Sequence, residues 1–159
     1  MVGLVTTRFN SKTWACNIEY RNKYDFLGCL YCEQQPMTKA LDSGCAIFVI
    51  EMNNTLNRIE GIGLIKNIIQ TEKYYKVYDD CNYNRYTYKG KFRINREVLI
   101  EHNKKLVEAL DYILFKEKTH MKRGSGFTQI PYKLLKHEKC EDLNLKEEIK
   151  YLYVLLFLR

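Results

Sequence analysis

The sequence predicts an α+β fold, and three observations carry that prediction. Two apolar runs, Cys45 to Met52 (CAIFVIEM) and Ile59 to Lys66 (IEGIGLIK), flank a short polar turn, which is the pattern of a β-hairpin. From Arg96 to Lys116, Leu99, Leu106, Leu110, Ile113 and Leu114 recur largely on one helical face, as a half-buried helix requires. A second amphipathic run, Asp142 to Leu158, places Leu145, Ile149, Leu152 and Leu156 on one side. Strands precede helices. Helices outside a mostly antiparallel sheet give an α+β class with a small curved sheet or open barrel.

Each element follows from its residues. Residues 2–9, VGLVTTRF, read as a first strand that ends in polar Thr6, Thr7 and Arg8. Asn10 to Asp42 mixes polar and aromatic residues with the turn-like Gln35-Pro36 and reads as loops with one short helix. NNTLN closes the hairpin, and Gly61 and Gly63 alternate in its second arm, where they mark a bulge or the close approach of another backbone or a ligand. A third strand is expected over Lys73 to Asp79 and a fourth over Tyr83 to Tyr88, joined by DDCN, with Gly90 at the next turn. Asn95 is the expected cap of the first long helix, and Glu97 in its first turn suits the positive end of the helix dipole. A glycine-punctuated loop, THMKRGSGFTQIPY, follows it.

At 159 residues, 46% hydrophobic, with two prolines and eight glycines, the chain is long enough to bury a core and is expected to form one domain over 1–159. The net charge of +7 favours a polyanionic partner. No signal-peptide pattern and no run of eighteen apolar residues is present, so an intracellular protein without a membrane partner is expected. The six cysteines are then expected to be reduced.

The richest segment is Lys73 to Arg96, where six tyrosines alternate with seven Lys or Arg. Cations neutralise phosphates and flat rings stack on bases, so this mixture suits a nucleic-acid surface; it also describes an ordinary half-exposed sheet. Arg8, Arg85, Lys91, Lys122 and Arg123 are the candidate phosphate contacts. In the loop around Lys122 and Arg123, glycines let a backbone approach an anion, and Ser125 or Thr128 can donate a hydrogen bond. Trp14, Tyr83 and Tyr86 are the candidate stacking rings. Asn53 and Asn54, at the hairpin turn, are the candidate readers of base edges, although Asn also favours turns for backbone reasons.

Little points to catalysis. No phosphate-loop or GxGxxG pattern opens a helix. His102, His120 and His137 show no paired-ligand spacing, and His102 is expected at the edge of the helix's apolar face. Glu51 and Glu60 flank the hairpin turn, where carboxylates are usually solvated; a Thr6, Glu51, Lys66 grouping would need the fold to bring those groups together. Cys16, Cys29, Cys32 and Cys45 make C-x12-C-x2-C-x12-C, half of a zinc pattern at best; buried thiols acting as small hydrophobes, Cys45 among them, are the preferred reading. No catalytic residue, metal or cofactor is expected.

The segments SGCAIFVIEMNNTLNRIEGIGLIKN, YNRYTYKGKFRINREVL and KTHMKRGSGFTQIP resemble a family of small uncharacterised proteins of large nucleocytoplasmic DNA viruses, over roughly Lys12 to Leu135. The virus resemblance implies a host cytoplasmic or nuclear location. More distantly, GIGLI after a hairpin and then YKGKFRI resembles the PUA-like group of small barrels, which includes EVE, ASCH and YTH domains. That resemblance implies RNA or modified-base binding in a pocket on the barrel face, with Trp14 as one aromatic wall. The expectation is therefore a PUA-like nucleic-acid-binding domain that reads a single exposed or modified base. The alternatives are a small ASCH-like hydrolase acting on nucleotides or RNA, and a viral protein-protein interaction module.

Overall fold

A computed structural model of the protein describes residues 1–116 and 118–158. Along the chain run β1 (Gly3–Phe9), α1 (Ser11–Lys23), β2 (Cys29–Glu33), β3 (Ala46–Asn53), β4 (Arg58–Lys66), β5 (Tyr86–Gly90), β6 (Phe92–Asn95), α2 (Arg96–Phe115), β7 (Thr128–Gln129), α3 (Tyr132–Leu135) and α4 (Leu145–Phe157). The class is α+β. Five strands form one sheet in the order β6-β4-β3-β1-β7, and β2 pairs with β5 in a second.

The expected hairpin is β3–β4. Its neighbour β1 runs parallel to β3, from Gly3 opposite Ile47 to Phe9 opposite Asn53, so the larger sheet is mixed. A parallel pair needs a long crossover, and here the crossover carries α1 and β2. At the far edge, β5 does not end in a turn at Gly90 as expected: the chain continues through Lys91 into β6, passing from the small sheet to the large one. The edge strands β6 and β7 stay apart in the strand order, so no closed barrel forms.

Alternation along β3 supplies two cores. Phe48, Ile50 and Met52 face one side with Leu106, Leu110 and Ile113 of α2 and Ile149 and Leu152 of α4. Ile47 and Val49 face the other side with Leu30, Tyr31 and Tyr88 of the small sheet. Glu51 and Asn53 share the parity of that second side, and both are buried.

Asn95 caps α2 as expected, accepting from the Val98 amide at 3.0 Å. The helix is not continuous: Asn103 departs from helical angles (φ −156°, ψ 75°), and its Oδ1 caps the second segment through the Leu106 amide at 3.1 Å while its Nδ2 donates to Glu148 of α4 at 3.0 Å. His102, just before this break, is exposed rather than packed at the core edge.

Three segments differ from expectation. Asn10 to Asp42 holds a thirteen-residue helix and a strand. The helix is begun by a reciprocal cap between Asn10 and Thr13, and it buries only Asn17 fully, so its sequence has no apolar stripe to show. Lys73 to Asp79 is not a strand. The Asn84 side chain takes the place of a strand neighbour there, accepting from the Val77 and Tyr78 amides and donating to the Tyr78 carbonyl at 2.7 Å. The fourth expected strand starts later, at Tyr86, because Cys81–Asn84 forms a 3-10 turn.

Candidate functional site

Strand β7 pairs only with Val5 and Thr6 of β1. Beyond them, the loop that leads into β7 is tied across the end of β1 by side chains. The Arg8 guanidinium donates to the carbonyls of Met121 (3.1 Å) and Gly126 (2.6 Å), and to Oγ1 of Thr6 (3.2 Å) and Thr128 (2.6 Å). Asn54 Nδ2 donates to the Lys122 carbonyl at 2.9 Å. Four directed bonds, to Met121, Lys122, Gly126 and Thr128, therefore fix a glycine-containing loop beside the strand.

Between this loop, β1 and β2 lies a cavity of about 190 Å³. Phe9, Tyr31, Tyr78 and Tyr83 supply aromatic walls, and Thr7, Glu33 and Ser125 supply polar ones. Three larger grooves, of about 700, 560 and 460 Å³, run along residues 135–144, beside α2 and beside the first residues of β1, without such a convergence of rings around a half-buried carboxyl.

Glu33 is the chemical centre of the cavity. Its Oε1 accepts a short hydrogen bond from the Thr7 hydroxyl, because β1 and the end of β2 bring the two side chains face to face. Burial pushes the carboxyl up to about 7, while the Thr7 bond and the Arg8 charge pull less strongly downward. The same burial lowers Arg8, which the charge of Glu33 raises in turn. A carboxyl near neutrality in a small aromatic cavity can donate or accept a hydrogen bond and can exchange a proton.

Behind the aromatic wall is a second polar cluster. Tyr31 donates its hydroxyl to Glu51 Oε2 at 2.8 Å. Arg93 grips the same carboxylate, with Nη2 at 2.6 Å from Oε1 and Nε at 2.9 Å from Oε2. Burial lowers the guanidinium's pKa, but the charge and hydrogen bonds of Glu51 more than offset it and leave Arg93 above its ordinary value. Glu51 is thus a buried ion-pair partner, not a solvated turn residue. Gly61 and Gly63 explain themselves here: a Cβ at Gly63 would collide with the Tyr31 hydroxyl and the Cys29 sulfur, and one at Gly61 would meet Arg93 and Glu51. The close approach expected of these glycines is made by the protein's own side chains, with a register shift between Glu51 and Met52 opposite them.

The structure sorts the residues predicted from sequence. Arg8 and Tyr83 line the cavity; Lys122 and Arg123 immediately precede its lining residue Gly124, with Arg123 exposed. Tyr86 pairs opposite Glu33 in the small sheet, and exposed Arg85 lies over its ring at 5.9 Å. Four of them stand in other surroundings. Arg8 spends its donors on the loop rather than presenting them to a phosphate. Asn53 is buried, and its Oδ1 accepts from the amides of Thr55 and Leu56 in the hairpin turn, so that oxygen does not read a base edge. Trp14, half-buried, packs edge-on against Phe9 at 5.0 Å, with Arg21 and Arg93 each 5.5 Å from its ring centre. Lys91 sits at the Gly90 end of β5, the opposite end of the strand from Glu33's partner Tyr86.

Asn54 braces the loop, and its Oδ1 is buried without a partner among the described residues. Thr128 accepts from Arg8. Within the tyrosine-rich segment, Tyr75, Tyr78 and Tyr88 are core residues, whereas Tyr74 and Tyr83 are exposed. Thr6 bonds Thr128 and Arg8, and Lys66 is exposed, so neither joins Glu51. Cys29 and Cys32 are buried, Cys16 and Cys45 half-buried, and no three His, Cys, Asp or Glu among the described residues are grouped to hold a metal.

Sequence reasoning missed Glu33, Thr7, Tyr31 and Tyr78. A signal existed for Glu33: it closes the run CLYC, and period two places it on the face of Tyr31. Among the described residues no helix is long and apolar enough to cross a membrane. Comparisons with protein-family models, curated proteins and solved structures gave no match.

Proposed function

We propose that this protein binds single-stranded nucleic acid and seats one unpaired base in the cavity beside Glu33, as an opened variant of a PUA-like barrel acting inside the cell. The observation that carries this reading is the union, at one small cavity, of four aromatic rings with polar groups, where the lining residue Gly124 directly follows Lys122 and Arg123 in the chain. Rings supply stacking to a flat base, and cations at the mouth neutralise the flanking phosphates. At about 190 Å³ the space is below the usual range for drug-sized ligands and suits a single ring system.

Fluorescence anisotropy with labelled single- and double-stranded RNA and DNA at several salt concentrations tests it. Binding to single strands that weakens steeply with salt supports the proposal, and converting Lys122 and Arg123 to Ala should reduce the salt slope by about 2. No binding at low salt overturns it.

One observation favours the hydrolase alternative: the Thr7 hydroxyl is bonded to a carboxyl poised near neutrality, as a hydroxyl and its general base would be. Turnover of nucleotides or oligonucleotides, lost in Glu33→Gln, would establish that reading; intact substrate after prolonged incubation would remove it.

A further inference from the structure

Helix α1 buries one residue fully, and that residue is an asparagine. Asn17, 2% exposed, donates Nδ2 to the Leu30 carbonyl of β2 at 2.7 Å and to the Tyr78 hydroxyl at 3.4 Å, while its Oδ1 accepts from Arg21 Nε at 2.9 Å. The small sheet holds the amide, and the amide holds Arg21. Two helical turns separate Arg21 from Trp14, which puts both on one face of α1, and the guanidinium carbon lies 5.5 Å from the centre of the Trp14 ring. Arg93 of β6 reaches the same ring at the same distance.

Two guanidinium groups therefore meet at one half-buried tryptophan. The carboxylate that acts most strongly on Arg21 is Glu51, and Arg93 already grips it with Nε and Nη2. Among the described residues Arg21 makes no ion pair of its own, so the three groups carry two positive charges and one negative. One positive charge is left over. Burial, and after it the charge of Arg93, lowers the pKa of Arg21, which is the penalty expected of a cation held there without a counter-ion.

The donors that remain are open. Among the described residues Nη1 and Nη2 of Arg21 and Nη1 of Arg93 have no hydrogen-bond partner, and none is a sealed polar atom without one, so solvent reaches all three. We propose that Arg21 and Arg93 beside Trp14 form a binding site for a phosphate group, with the Nη edge of Arg21 taking two of its oxygens and Arg93 adding a further donor and the second charge. A single carboxylate would be served by the Arg21 fork alone; a third open donor and the surplus charge suit an anion with more than two oxygens. Because the pair is partly buried, salt screens it less than it screens exposed Arg123. The site adjoins the base cavity through Phe9, which lines that cavity and touches Trp14, but it does not depend on a base being bound there.

Trp14 is the only tryptophan in the chain, so its emission reports on this site directly. Inorganic phosphate, adenosine monophosphate and a dinucleoside phosphate are titrated at constant ionic strength, with Trp14 emission and the phosphorus NMR linewidth of each probe read together. A saturable response to any of the three sustains the site, and the tightest binder identifies free phosphate, a monoester or a diester as its source. Arg21→Lys keeps the charge but not the fork and should weaken binding about tenfold; Arg21→Gln should abolish it, with thermal melting showing that both variants fold. Neither signal moving in the wild type overturns the proposal, as does an equal response to chloride or acetate, or variants that titrate as the wild type does. A response that survives Arg21→Gln and disappears when Lys122 and Arg123 are changed to Ala belongs to the loop and overturns it as well. Failure of oligonucleotides to bind would sink the strand-binding proposal and leave these phosphate titrations to decide this one.

Discussion

Thr7 and Glu33 lie 26 positions apart on strands of different sheets, and the hydroxyl of one donates to the carboxyl of the other across the cavity wall. The bond exists because β1 ends free of β7 just where β2 ends against β5. Two strand ends, each with a polar residue that an apolar partner does not cover, meet there.

That carboxyl should make stability fall as pH rises. Glu33 titrates at about 7 in the folded protein against an ordinary value of 4.5, so the folded state retains a proton that the unfolded chain releases between those values. The stabilisation is complete below pH 4.5 and is lost as pH rises through about 7. The full linkage would be roughly 3 kcal/mol; partial exposure of the residue reduces the expected loss to about 1–2 kcal/mol. Urea denaturation of wild type and Glu33→Gln across this window should show the slope in the former and its flattening in the latter. Parallel curves would place the titration elsewhere.

The Glu51–Arg93 pair should be costly to break and cheap to replace. Arg93→Ala leaves a carboxylate in a core position that is 1% exposed, and a loss of about 3–5 kcal/mol is expected. Replacing both partners by Leu and Met should cost less than either single truncation. Chemical denaturation of the two single variants and the double variant checks this as a thermodynamic cycle.

Gly63→Ala should destabilise by roughly 1–3 kcal/mol, since the new methyl meets the Tyr31 hydroxyl and, at 2.6 Å, the Cys29 sulfur. Both are themselves buried and have no free space to retreat into. Cys29→Ala in the same chain should recover part of the loss, measured by thermal melting, because it removes the sulfur while the Tyr31 hydroxyl and the Cβ of residue 29 stay in place; an additive double variant would show that the clash is relieved elsewhere.

Arg8→Ala should loosen the loop without unfolding the sheet. The variant removes the donors that hold Met121, Gly126 and Thr128, so amide exchange should accelerate over 121–127 while protection in β3 and β4 is retained. Nucleic-acid affinity should fall with it, although the guanidinium itself is turned to the loop. Unchanged exchange over 121–127 would show that the loop stands without Arg8.

Much of the architecture was legible because periodicity reports burial directly. The apolar runs at Cys45 to Met52 and Ile59 to Lys66 read as strands of a covered sheet, and the stripe from Leu99 to Leu114 as a helix on it. The cap at Asn95 followed from side-chain chemistry within three residues. Helix α1 was hidden because it buries little, and the segment around Tyr75 to Tyr78 imitated a strand because its rings are buried while its amides bond the Asn84 side chain rather than a strand neighbour.

The candidate site divides in the same way. Composition and local pattern alone gave a basic, tyrosine-rich chain with a glycine-punctuated cationic loop; of these features Tyr31, Tyr78, Tyr83, Gly124, Ser125 and Gly126 line the cavity. Tertiary packing set that Arg8 ties the loop, that Trp14 and Asn53 make internal contacts, that Glu51 is an ion-pair partner, and that Thr7 meets Glu33. Composition and spacing fix what a side chain can do within a few residues of itself. Which of its hydrogen-bonding positions and ring faces remain free depends on groups brought from distant strands, and that is set by how the two sheets pack.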